Sequence, residues 1–266
     1  MTAPRLTDCL LQIDGRVALL TLNRDDVRNA LTGTRIVNDI LLLVEWLNQQ
    51  SEVQCLVLTG GGRAFCSGGN VKDMAERSND FAGSPDELAQ RYQQGIQRLP
   101  LALSELEIPV IAAVNGAAIG AGFDLVNMCD LALAGEKAKF GETFVNLGII
   151  PGDGGAWFLP RKIGPQRAAE LALTGRIVEG AEAVSLGLVL ELLPQSQLLP
   201  RAMQLAQQIA SKPSYALRQT KRLLKLSETT ALDQFLAICA EVQGQCHHDP
   251  EHLQAVNRLL KQMGQG

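Results

Sequence analysis

Aromatic residues make up only 4% of this 266-residue chain. Proteins that hold single-stranded nucleic acid need stacking platforms, so the shortage of rings argues against that class. Histidine is scarcer still, with His247, His248 and His252 the only three. A histidine-based catalytic triad elsewhere is therefore impossible. His248 and His252 are spaced i,i+4, as helical metal ligands sometimes are. Pro250 intervenes, however, and no Cys, Asp or Glu completes a set, so a solvated helix start is the reading and no metal site is expected. Excess positive charge is also missing: 24 Lys+Arg stand against 28 Asp+Glu, a net charge of −4. That balance leaves no general electrostatic footprint for nucleic acid or anionic lipid. No apolar run reaches ~18 residues, so no transmembrane helix is expected. Residues 1–14 lack the basic region and apolar core of a secretion signal. The protein reads as cytoplasmic, with no nucleic-acid partner and no membrane.

Nucleotide and hydrolase signatures are absent too. Neither Gly60-Gly61-Gly62 nor Gly120-Ala121-Gly122 extends to a dinucleotide fingerprint, because Phe65 and Leu125 occupy the sixth positions. No glycine leads into Gly-Lys-Ser/Thr, and no Gly-x-Ser-x-Gly elbow exists. The six cysteines, Cys9, Cys55, Cys66, Cys129, Cys239 and Cys246, are scattered without a Cys-x-x-Cys. They read as reduced, mostly buried thiols.

What remains is an ordinary globular chain, 46% apolar and 20% charged, long enough for one large domain with a small appendage. Cys9–Ile13 and Val17–Leu22 flank Asp14-Gly15, a hairpin signal. Thr32 is a candidate cap for a helix from Gly33 to Gln49, where Ile36, Ile40, Leu43 and Leu47 keep helical spacing. Cys55–Thr59, Pro109–Val114 and Leu131–Ala134 are short, continuously apolar strands. Ser84–Leu106 reads mostly as helix, interrupted near Pro100. Strands of this kind alternating with helices indicate an α/β fold with mainly parallel pairing. After Pro200 the pattern turns purely helical, which divides the chain into a core over 1–200 and a C-terminal helical subdomain over 201–266.

Two glycine-rich loops follow buried strands, over residues 60–71 and 115–124. Ligands of α/β sheets bind beyond the carboxyl ends of strands, and glycine lets backbone N–H groups approach them closely. Asp124 stands three residues beyond Ala121, on the same helix face. A backbone donor and a carboxylate looking into one space suit enolate chemistry: donors stabilise the oxyanion and the carboxylate moves a proton on a neighbouring carbon. The alternative is a first-turn acid that merely complements the helix dipole.

The chain also resembles the crotonase superfamily, the enoyl-CoA hydratases and isomerases. The resemblance rests on an ordered series covering nearly the whole sequence: Asn23-Arg24 through Asn29-Ala30-Leu31, Val57–Gly60, Arg63–Gly68, Pro109–Gly116, Cys129-Asp130, Phe140-Gly141, Leu147-Gly148, Pro151–Gly155, Leu159–Arg161 and Leu173–Gly175. It implies a crotonase-like spiral of ββα turns, C-terminal helices that mediate oligomerisation, homotrimers or homohexamers, and acyl-CoA thioesters of fatty acid metabolism. Coenzyme A would arrive as part of the substrate, with no resident cofactor. Position by position, Gly69 and Ala121 would supply the two oxyanion-hole N–H groups, Ala121 standing where glycine is usual. Val27, Ser67, Asn70 and Val71 would line the coenzyme A path, and Asp130 would be structural.

The departures from the family pattern concern the acids. Hydratases of the family hold one water between two glutamates. Here the first is Asp124 and the second position is Phe144. Asp153, in the glycine turn, matches imperfectly an acid that related isomerases use; it is either catalytic or a turn-former. Glu142 reads as an exposed strand-end acid, with catalysis the lesser alternative. Phe81, Phe123, Phe144 and Trp157 either shape the acyl pocket or pack the core. Hydration of a 2-enoyl-CoA is narrowly favoured, isomerisation of a 3-enoyl- or dienoyl-CoA is the alternative, and a non-catalytic acyl-CoA-binding scaffold is a further one.

Overall fold

A computed structural model describes residues 2–264. In chain order the elements are β1 (Cys9–Asp14), β2 (Val17–Leu22), α1 (Ile36–Asn48), β3 (Cys55–Gly60), β4 (Ala64–Cys66), α2 (Val71–Glu76), α3 (Pro85–Gln94), α4 (Arg98–Glu105), β5 (Val110–Val114), β6 (Ala117–Ile119), α5 (Ala121–Asn127), β7 (Leu131–Gly135) and β8 (Lys139–Gly141). There follow α6 (Gly155–Ile163), α7 (Pro165–Thr174), β9 (Ile177–Glu179), α8 (Gly180–Leu186), β10 (Glu191–Leu193), α9 (Gln195–Ala210), α10 (Ser214–Leu226), α11 (Leu232–His248) and α12 (Pro250–Gln262). None of the helices is long and apolar enough to cross a membrane, among the described residues.

The strands form two sheets. The larger runs β1-β2-β3-β5-β7-β10 and the smaller β4-β6-β8-β9. Three times the chain lays a strand in the larger sheet and the next in the smaller: β3 then β4, β5 then β6, β7 then β8. Within each sheet these successive strands pair in parallel, whereas β1–β2 and β8–β9 are antiparallel. The expected spiral of ββα turns is therefore the architecture. The hairpin at Asp14-Gly15 forms as expected, with Gly15 at φ +56°.

The apolar strands are continuous because both faces of the larger sheet are covered. Leu56 and Leu58 of β3 face the main core, which Ile36, Ile40, Leu43 and Leu47 of α1 enter. Cys55 and Val57 face the opposite way, against Leu198, Ala202, Ala206 and Ala210 of α9. The alanines recur every four residues, so α9 presents a row of small side chains to the sheet.

Several boundaries differ from the sequence reading. The helix expected from Gly33 begins at Ile36, and Thr32 does not cap it: its hydroxyl accepts the Asn70 N–H at 2.7 Å. The Ser84–Leu106 helix breaks at residues 95–97, before Pro100, which falls in the first turn of α4. A first-turn residue needs no intrahelical N–H bond, so proline is tolerated there. The last helical stretch starts at Gln195 and runs through Pro200, and its first helix belongs to the sheet packing. Four of the cysteines are buried, Cys239 and Cys246 are half-buried, and all six are free thiols.

Two polar anchors hold the scaffold. Asp39 of α1, 2% exposed, accepts the backbone N–H groups of Thr7, Asp8 and Cys9, tying the chain start to the helix. Asp130 accepts the Val110 N–H at 2.8 Å and pairs with Lys221 of α10 at 2.7 Å. Asp130 is thus a structural residue, as the resemblance implied.

Candidate active site

The three parallel strands of the smaller sheet end side by side. β4 stops at Cys66, β6 at Ile119 and β8 at Gly141. Just beyond these carboxyl ends lie Gly69, Ala121 and Glu142, so the sheet gathers three separate loops to one place. Gly120 makes the turn out of β6 at φ +53°, in a region that favours glycine, with the Phe144 ring over it. Leu31 N–H donates to the Gly68 carbonyl at 2.8 Å, and Asn29 Nδ2 donates to the carbonyls of Gly61, Ala64 and Phe65. The Asn29-Ala30-Leu31 motif is therefore a brace for the first glycine loop.

A cavity of about 190 Å³ opens between these loops and α3. Gly69, Ala121 and Asp153 all line it, with Met74, Phe81, Tyr92, Phe144 and Ile149 as apolar or aromatic wall. The volume lies below the ~300–1,000 Å³ of sites that enclose a drug-sized ligand, which suits the acyl end of a larger molecule. Neither the Gly69 nor the Ala121 N–H donates to a protein acceptor, among the described residues. Two free backbone donors on one cavity wall can stabilise an oxyanion.

The acids come together behind and beside this wall. Asp124 is 0% exposed, Glu142 1% and Asp153 5%. Asp153 is on the cavity wall; Asp124 and Glu142 are not. They meet beneath it at Gly155, where an added Cβ would overlap both Glu142 Oε1 and Asp124 Oδ1. Burial pushes the Asp124 carboxyl well above its ordinary range, reinforced by the neighbouring Glu142 and Asp153, and the Gly155 N–H offsets this only in part. Burial likewise pushes Glu142 up to about 7 and Asp153 up to about 6. Both oxygens of Asp124, both of Glu142 and Oδ1 of Asp153 lack a hydrogen bond of ordinary geometry, among the described residues. The turn bearing Asp153 is fixed by Gln97 Nε2, which donates to the Gly152 carbonyl at 2.9 Å.

A profile of the enoyl-CoA hydratase/isomerase family matches residues 12–260. The chain belongs to this family. It is 37% identical to a probable mitochondrial enoyl-CoA hydratase of Dictyostelium discoideum, over 83% of this chain and 76% of that one. It is 32% identical to a 1,2-epoxyphenylacetyl-CoA isomerase of Escherichia coli, over 94% of each. Among solved structures, an enoyl-CoA hydratase from Bacillus anthracis superposes with a TM-score of 0.89 at 29% identity, covering 96% of this chain and 97% of that one. The protein is accordingly an enzyme of the enoyl-CoA hydratase/isomerase type with the crotonase fold.

Within this family member, the structure corrects several expectations about individual residues. Glu142 is not an exposed strand-end acid: residues 142–147 fold over the end of β8 and turn its side chain inward against Asp124. Asp124 lies under the cavity floor rather than on it. An aspartate is one methylene shorter than a glutamate, and Ala121 and Phe144 line the cavity that Asp124 does not reach. Of the aromatic candidates, Phe81 and Phe144 line the cavity, while Phe123 is core and packs on Phe140 at 5.7 Å. Trp157 is 48% exposed, with the Arg161 guanidinium stacked on its ring, and belongs to neither. Asn70 caps α2 by accepting the Lys72 N–H, Ser67 Oγ donates to the Val27 carbonyl, and Val27 and Val71 are exposed. At the chain end, His247 rather than His248 approaches His252, at 3.2 Å.

Sequence reasoning missed Tyr92. It lines the cavity, and burial together with the Asp153 charge raises its phenol. No motif marks it, because its helix is amphipathic without being distinctive.

Proposed function

We propose that the protein adds water across the double bond of a 2-enoyl-CoA to give a 3-hydroxyacyl-CoA. The observation that carries this reading is the single cavity lined by Gly69 and Ala121, whose N–H groups are free, and by Asp153. The thioester oxygen accepts from the two N–H groups, which stabilise the negative charge that develops on it. The Asp153 carboxylate takes a proton from water as the hydroxyl bonds to the β-carbon. The resulting enolate then recovers that proton from Asp153 at the α-carbon, so atoms and charge balance. Asp124 is the second acid, behind the first. The names of curated relatives support hydration.

One observation favours isomerisation as a second reading. Phe144 forms apolar wall where the family pattern places the second glutamate, and of the three buried acids Asp153 is the one on the cavity surface. A single carboxylate that takes a proton from one carbon and returns it to another needs no second water-holding acid.

Coenzyme A enters in this reading as part of the substrate, with no resident cofactor, and its path runs over Val27, Ser67, Asn70 and Val71. Homotrimeric or homohexameric assembly, a role in fatty acid metabolism and a cytoplasmic location belong to the same proposal. The test is a paired assay on purified protein with one 2-enoyl-CoA and one 3-enoyl-CoA. Loss of the conjugated thioester with appearance of 3-hydroxyacyl-CoA is expected. Gain of conjugation from the 3-enoyl substrate without hydration would replace hydration by isomerisation. Silence in both, with no exchange of solvent deuterium into an acyl-CoA α-carbon, would leave a binding scaffold.

A further inference from the structure

We propose that Glu142 is a positioning residue: it shares one proton with Asp124, so that the pair forms a singly charged unit under the floor of the active site. The role deepens the acyl-CoA reading above and rests on it, but the proton-sharing pair itself needs no substrate to be seen.

The geometry requires a proton there. Asp124 and Glu142 reach the same small space beside Gly155, which is open because that residue has no side chain. All four of their oxygens are buried without a well-aligned donor, among the described residues. A buried acceptor with no donor is costly, and two bare carboxylates in contact repel one another. One proton between them removes the repulsion and gives one of these acceptors a donor: Asp124 donates and Glu142 accepts.

The surrounding side chains offer no compensating positive charge. From α5 the facing acid is Asp124, from the end of β8 it is Glu142, and from the glycine turn it is Asp153. Tyr92 of α3 faces Asp153. On α6, Arg161 turns away to Trp157 and Glu228, and Lys162 donates to the carbonyls of Val126 and Cys129. No lysine, arginine or histidine among the described residues makes an ion pair with the three acids. Burial and the Asp153 charge raise both members, while their mutual contact raises Asp124 and lowers Glu142, so that Asp124 holds the proton.

Mechanistically, the shared proton fixes the orientation of Asp124 and holds the negative charge beneath Asp153 at one. When it leaves at alkaline pH, a second charge appears next to Asp153 and the bond that orients Asp124 is lost. Glu142 thus does from position 142, by folding inward, part of what Phe144 cannot do.

The test uses the full chain. Infrared difference spectra of the substrate-free protein should contain a protonated-carboxyl C=O band near neutral pH that shifts in heavy water, moves in Glu142→Gln and is lost in Asp124→Asn. Kinetically, Glu142→Gln keeps an acceptor for the Asp124 proton but carries no charge. It should lower kcat by about fivefold, leave KM within about twofold and shift the alkaline limb of the kcat profile. Glu142→Leu removes the acceptor and should lower kcat by about 100-fold, again with little change in KM. Absence of the band, a wild-type profile without an alkaline limb, an unchanged limb in Glu142→Gln, or full activity in Glu142→Leu would each overturn the role. Should Glu142→Leu not fold, the band and the isosteric Glu142→Gln still decide. If the wild type were inactive on every enoyl-CoA, the proposed function would fail while the infrared arm still decided the acid pair.

Discussion

Asp39 and Asp124 are both helical aspartates with almost no solvent exposure, and their surroundings could hardly differ more. Asp39 accepts three backbone N–H groups and stitches the start of the chain to α1. Asp124 makes no hydrogen bond of ordinary geometry, among the described residues, and instead faces two further acids. A carboxyl group with three donors has its acceptor oxygens satisfied and contributes to stability. A carboxyl without donors is held in a state that is costly when ionised, which is the condition for giving and taking protons near neutral pH. Burial alone therefore says nothing about role; the count of donors does.

That contrast can be broken experimentally. The largest effect is expected at Asp153, the buried acid on the cavity wall. Asp153→Asn should lower the turnover of whichever enoyl-CoA is accepted by about 10²–10⁴-fold. The same change should raise stability at neutral pH. Burial lifts the folded-state value of Asp153 to about 6 from an ordinary 3.8. Between those values the folded protein holds a proton that the unfolded chain has released, so stability falls as pH rises through that window. Asp153→Asn lacks that loss and should gain about 2 kcal/mol at pH 7.5 and nothing at pH 3.5, read by denaturant titration. A variant that lost stability at pH 7.5 would show that burial does not hold this carboxyl against ionisation.

Asp39→Ala should behave in the opposite way. It strands three backbone donors and should cost about 3 kcal/mol, while the activity of the folded fraction stays near wild type. An unchanged melting temperature would mean that these bonds contribute nothing net. Gly155→Ala is intermediate, because its methyl group drives into the acid pair. A loss of about 1–3 kcal/mol, together with reduced turnover, is expected. Asn70→Ala should be mildest, at about 1 kcal/mol from the lost cap of α2. Coenzyme A affinity in that variant, measured by calorimetry, separates a capping role from a binding one.

Much of this site is legible in the amino-acid sequence. The glycine loops, the strands that precede them and the pairing of Ala121 with Asp124 on one helix face all follow from local pattern. The order of short motifs carries the family. Three features do not follow. Glu142 looks exposed because an acid directly after a strand is solvated in most settings; here residues 142–147 wrap it under Phe144. Asp124 looks like the principal acid because spacing places it beside the donor, yet spacing carries no information about depth. Thr32 looks like a helix cap because it precedes an apolar run, but its hydroxyl is taken by Asn70 across the glycine loop.

The amino-acid sequence by itself determined which groups could take part: two unencumbered backbone donors, three acids and a phenylalanine where a glutamate is usual. Those are properties of residue type and near-neighbour spacing. Only the tertiary structure decided which acids meet and which one faces the cavity. Asp124 sits on α5, Glu142 after β8, Asp153 in the turn before α6, and the space they share exists because Gly155 fills none of it. Such proximity is set by the parallel stacking of the smaller sheet and the docking of α6 against α5, contacts between segments far apart in sequence that no local pattern records.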